Sequence, residues 1–108
     1  MNRRRSSRFR IRLPVLTQWT DDQGQVRYGG GFTRDICLHG LFVISSEPPS
    51  EATIVSVTVV LPNVRAGSQE VHLHSAGAIV RVERSDGTTG YAVDCHFRDI
   101  EDLVGQIP

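Results

Sequence analysis

Six arginines crowd the start of the chain: Arg3, Arg4, Arg5, Arg8, Arg10 and Arg12 all precede the first carboxylate. They are half of its twelve basic residues, and none of the twelve is lysine. A second polar cluster, Asp35-Ile36-Cys37-Leu38-His39-Gly40, follows about one β-hairpin later. The two clusters have complementary chemistry. A guanidinium fork grips phosphates and the O6/N7 edge of guanine. An aspartate accepts hydrogen bonds from guanine's N–H donors. An arginine arm beside an Asp-bearing turn is suited to a guanine nucleotide.

The elements that must carry these groups read as strands. Phe9 to Trp19 alternates, with Phe9, Ile11, Leu13, Val15 and Trp19 on one face and Arg8, Arg10, Arg12 and Gln18 on the other, the period of a half-buried strand. Pro14 points to an edge or a bulge. Asp21-Asp22-Gln23-Gly24 is a turn signal, and a strand over 25–35 follows, with Gly29-Gly30-Gly31 expected to bulge or bend it. Leu41 to Ile44 is a short apolar strand. Ile54 to Leu61 is rich in β-branched residues. Val71 to Arg84 is long, with a bend expected at Gly77; Ser85-Asp86-Gly87 turns the chain into Thr89 to Phe97. A short helix over 99–106 starts at Asp99, with apolar positions enough only for a lid or plug.

About six strands with frequent turns and almost no helix predict an all-β fold, a small antiparallel barrel or sandwich. Glycines at strand bends favour the barrel. At 108 residues one domain is expected, with a core large enough to need no staples.

Formal net charge is zero, but the distribution is uneven. The first twelve residues carry +6; the rest hold six arginines against twelve carboxylates, a net −6. A basic arm on an acidic body steers anions. The acidic body and a 6% aromatic share argue against a nucleic-acid-binding role. Cys37 and Cys95 are the only cysteines. Without a signal-peptide pattern or a run of about 20 apolar residues, the expectation is a cytoplasmic protein with two free thiols and no membrane insertion.

These residues resemble the PilZ domain family. Arg4-Arg5-Ser6-Ser7-Arg8-Phe9 fits its opening Arg-x-x-x-Arg motif. Asp35 to Gly40 fits its Asp/Asn-x-Ser-x-x-Gly motif with Cys37 in the serine's place. Leu41-Phe42-Val43, Leu61-Pro62, the Gly77-to-Val82 segment and Gly90-Tyr91-Ala92-Val93 through Phe97 are similar to the family's later strands. Each motif alone is weak; both in order, over nearly the whole chain, are specific.

The resemblance implies a six-stranded β-barrel spanning 9–108 with a flexible ligand-binding arm over 1–8. It implies a bacterial receptor or adaptor for the second messenger cyclic di-GMP, with no cofactor or metal and no enzymatic activity. Arg4 and Arg8 would hold phosphates and guanine edges, and Asp35 and Gly40 would line the barrel half of the site. Arg5, Cys37 and His39 would support them, and a protein effector would read the result. Arginine meets phosphate charge, guanine edge and purine face alike, and Gly40 permits positive φ or close approach.

Cys37 is the main departure. A thiol hydrogen-bonds weakly, so a site that had used a hydroxyl there loses about 0.5–1.5 kcal/mol. His39 stands where many members have glycine; it could stack on a purine, meet a phosphate, or face solvent. A ligand-free interaction module is the alternative these two residues motivate. His72 and His74 share a strand face without a third metal ligand, Asp94 and His96 read as a surface pair, and no catalytic motif is present.

Overall fold

The computed structural model describes residues 8–62 and 70–104. β-branched residues at alternate positions set the frame. In β4 (Ile54–Leu61) Val55, Val57, Val59 and Leu61 are buried, each at most 2% exposed, and the residues between them face outward. The other strands are β1 (Pro14–Thr20), which alternates likewise, β2 (Val26–Cys37), β3 (Gly40–Ile44), buried over its first four residues, β5 (Val71–Ser85) and β6 (Thr88–Asp94). All neighbours pair antiparallel, in the order β1-β2-β3-β6-β5-β4, and β1 pairs with β4 to close the barrel. Closure leaves no open sheet edge. Val15, Ile36, Val43, Ile79, Tyr91, Val93 and Phe97 fill the interior with the β4 residues.

Turn chemistry agrees with the sequence. Asp86 and Gly87 both have positive φ, 51° and 78°, the requirement of a two-residue type I′ hairpin. Asp21 organises the β1–β2 turn: its carboxylate accepts from the Gln23 and Gln25 N–H groups and from Arg27 Nε. These bonds, the Gln25 N–H and the Arg27 guanidinium foremost, hold Asp21 below the usual carboxylate range. The short helix α1 (Ile100–Val104) turns buried Ile100 and Val104 into the barrel, consistent with a plug.

Two local expectations are corrected. Residues 9–13 are not part of the first strand, which begins at Pro14; the segment meets β2 at the bridge Phe9 to Ile36 and at the Leu13 carbonyl, which accepts from the Thr33 N–H at 2.8 Å. Proline has no N–H to continue a ladder, and the buried Thr33 hydroxyl substitutes, donating to the Ile11 carbonyl and accepting from the Leu13 N–H. The glycine run carries no bulge, since β1 and β2 stay in register from Thr17↔Gly29 to Val15↔Gly31. The register irregularities lie at Arg34 in β2 and at Val80 in β5.

Candidate functional site

The bulge in β2 creates the site. Thr33 opposes Val43 and Asp35 opposes Phe42, so Arg34 is an extra residue with no partner across the pair. Thr33, 2% exposed, faces the interior, and Ile36 faces it again. Both Arg34 and Asp35 are thereby delivered to the outer surface, where simple alternation would have separated them. Phe42 also lies outside the interior core, between the core residues Leu41 and Val43.

The N-terminal segment arrives at this point. The Phe9 N–H donates to the Ile36 carbonyl at 2.8 Å, and the Ile36 N–H donates back to the Phe9 carbonyl at 3.0 Å. That pair of bonds sets Arg8 beside Asp35, Nε to Oδ1 3.9 Å, with Arg8 62% exposed and Asp35 only 11%. The contact is loose, and most of the guanidinium faces solvent. Arg34 Nε is nearer, 3.1 Å from Asp35 Oδ2. Arg34 also reaches Glu83 of β5, Nη1 to Oε1 3.5 Å, and Arg81 holds the other Glu83 oxygen at 2.6 Å. The patch thus carries three arginines against two carboxylates and is net positive, which favours an anion.

The Asp35-to-Gly40 motif closes as a tight hairpin, Cys37 opposite Gly40 with Leu38 and His39 at the turn. The Leu38 carbonyl accepts from the Phe97 N–H at 2.9 Å and the His39 carbonyl from the Cys95 N–H at 3.3 Å, tying the turn to the segment leading into α1. Gly40 has φ +151°, and a Cβ there would lie 2.2 Å from the Val93 carbonyl oxygen. Only glycine fits on both counts. Cys37 is half-buried and unpaired. Cys95 is buried, and its desolvation pushes the thiol up to about 11. The exposed His39 ring sits edge-on to His96, centroids 5.5 Å apart.

The structure therefore brings together Arg8 and Asp35, with Cys37, His39 and Gly40 one turn further along the same strand pair. Arg4 and Arg5 lie outside the described residues. Sequence reasoning did not find Arg34, Phe42, Arg81 and Glu83 as part of the patch. Spacing two apart does put Arg81 and Glu83 on one face, but nothing in the sequence marks the bulge that turns Arg34 outward. His72 and His74 are exposed, His72 beside Glu70 and His74 Nδ1 3.0 Å from Thr58 Oγ1. No group of three or more His, Cys, Asp or Glu able to hold a metal occurs among the described residues.

Comparison with known proteins agrees with the motif reading. The PilZ domain family model matches residues 2–106. No curated protein matches the chain. Among solved structures, the Bacillus subtilis inhibitor of motility MotI/DgrA is similar over 97% of this chain and 49% of its own, at 11% identity and a TM-score of 0.63. The chain thus spans about half the length of that protein. The PilZ domain of CeSA from a cellulose-synthesizing bacterium is similar over 94% of this chain and 91% of its own, at 19% identity and a TM-score of 0.50. At these identities the likeness is one of fold.

Proposed function

The chain belongs to the PilZ domain family, a family of cyclic di-GMP receptors, and from that premise we propose that this protein binds cyclic di-GMP on the outer face around Arg8 and Asp35. The observation that carries the reading is the pairing itself. A mostly exposed arginine stands 3.9 Å from a mostly covered aspartate, both at motif positions. Arg8 has N–H groups free for a phosphate or for the O6/N7 edge of guanine. Asp35 has lone pairs beyond those its arginines use, and it accepts from guanine N1–H and N2–H₂.

Arg4 and Arg5, from the same arm, supply further phosphate contacts, and the arm over 1–8 orders as they engage. Cys37, His39 and Gly40 form the floor at the hairpin end, with Gly40 holding the turn close to β6. Ordering the arm changes the surface offered to a protein effector, so the signal passes by contact rather than by chemistry. One nucleotide or a stacked pair fits the number of arginines. We place the protein in the bacterial cytoplasm; no described helix is long and apolar enough to cross a membrane.

Charge reversal tests the assignment. Arg8→Glu replaces a phosphate ligand with a repelling carboxylate beside Asp35. Loss of one charge-assisted contact, about 1.5–3 kcal/mol, lowers affinity roughly 10- to 150-fold. Unchanged affinity would overturn the assignment. Cys37 gives a second reading some support, that of a barrel acting only through protein contacts. Gain of nucleotide binding in Cys37→Ser/His39→Gly, where the natural sequence shows none, would favour it.

A further inference from the structure

Phe42 is only 4% exposed, although it lies on the outside of the barrel. Arginine helps to cover it. The Arg34 guanidinium carbon lies 3.8 Å from the ring centroid and that of Arg81 5.8 Å away. The absence of a side chain at Gly90 makes room for the ring, since a Cβ there would lie 2.4 Å from Phe42 Cε1. Arg34 is fixed on three sides: by the ring, by Asp35 at 3.1 Å and by Glu83 at 3.5 Å. Glu83 is in turn held by Arg81. Against the ring, Arg34 still keeps 44% of its side chain exposed.

A solitary surface arginine samples many rotamers and loses that freedom when it binds. This one is already immobilised, so a base laid on it meets little further ordering cost. Purines stack readily on guanidinium planes. This partly exposed guanidinium adjoins Asp35, the group assigned to guanine's donor edge. Both β-bulges contribute: one turns Arg34 outward, and the other, at Val80, does the same for Arg81.

We propose that Arg34, carried on Phe42 and steadied by Glu83 and Arg81, is a preformed stacking platform for a purine base of the bound nucleotide. The order is phenyl ring, guanidinium, purine. Arg34 is not at a position of either motif, and the proposal rests on the reading that the chain binds cyclic di-GMP.

The experiment titrates cyclic di-GMP into the wild-type protein, Arg34→Lys, Phe42→Leu, Arg8→Ala and Asp35→Asn, and into the double variant Arg34→Lys/Asp35→Asn. Thermal unfolding confirms that each is folded. Lysine keeps the charge and loses the plane; leucine keeps apolar bulk and loses the ring while leaving the partners of Asp35 in place. The platform predicts about a five-fold or greater loss of affinity for Arg34→Lys and for Phe42→Leu. The Arg34→Lys loss persists in the Asp35→Asn background. If that loss vanishes there, Arg34 acts only by orienting Asp35 and the platform is wrong. If both platform variants bind like wild type while Arg8→Ala does not, the platform fails and the receptor reading stands. If the wild-type protein itself does not bind, both fail.

Discussion

Gly40→Ala should damage this protein more than the addition of one methyl group implies, because Gly40 is buried against β6. The backbone there has φ +151°, and the new methyl would sit 2.2 Å from the Val93 carbonyl oxygen and 3.3 Å from its carbon. That is more than 1 Å inside ordinary contact, and the obstacle is backbone, so β3 must separate from β6. The strained φ costs roughly 1–3 kcal/mol. Opening the Gly40↔Asp94 end of the ladder adds about 0.5–1.5 kcal/mol for each hydrogen bond lost. A total of about 2–4 kcal/mol lowers the melting temperature by roughly 10–20 °C in a domain near 100 residues. Gly87→Ala is the control. Gly87 also has positive φ, +78°, but nothing lies within 4 Å of its Cβ, so that variant should lose only about 1–2 kcal/mol. Thermal unfolding by circular dichroism reads both. The clash argument is refuted if Gly40→Ala melts no lower than Gly87→Ala. In the folded fraction of Gly40→Ala, nucleotide affinity also falls, because the Leu38-His39 turn is carried by the displaced strand.

Two other outcomes follow from the thiols. Cys37→Ser restores a hydroxyl at the motif position and should tighten cyclic di-GMP binding by roughly three- to ten-fold, with little change in melting temperature; calorimetry showing equal or weaker binding would contradict this. Cys95 and Tyr91 both have their pKa raised by burial, Cys95 to about 11. Their neutral forms are thus favoured in the folded state. The Cys95 contribution is fully present below the unfolded thiol's pKa of about 8.5 and is lost as pH rises to about 11. Urea midpoints should therefore fall through this window, and Cys95→Ala should flatten the fall; a midpoint that does not depend on pH there would be inconsistent.

Most of the barrel was legible because each strand buries one face. The bounds of β4 follow from its β-branched run, and the Asp86-Gly87 turn from residues that tolerate positive φ. Bulges were not legible. They depend on which residue opposes which across two strands, and that pairing is long-range. Glycines drew attention to 29–31, whereas the extra residues are Arg34 and Val80, neither of a type that marks a bulge. The same gap governed the site. Arg8, Asp35 and Gly40 stand out by motif, but Arg34 reads as the opposite face from Asp35 until the bulge is known. Phe42 gives no sequence signal of an arginine-covered site, because an apolar residue in a short apolar strand does not show which face it takes. Residues 9–13 keep the strand period but bond β2 through the main chain only at Phe9 and Leu13, and between them the Thr33 hydroxyl serves the Ile11 carbonyl and the Leu13 N–H.

The central claim is tested most directly by isothermal titration of cyclic di-GMP into the purified wild-type protein, with cyclic di-AMP as control. The account predicts saturable binding of the guanine ligand at one or two molecules per chain. Binding of the adenine ligand should be much weaker, because adenine presents no N1–H to Asp35. No heat at high ligand concentration, together with an unchanged melting temperature, would contradict it.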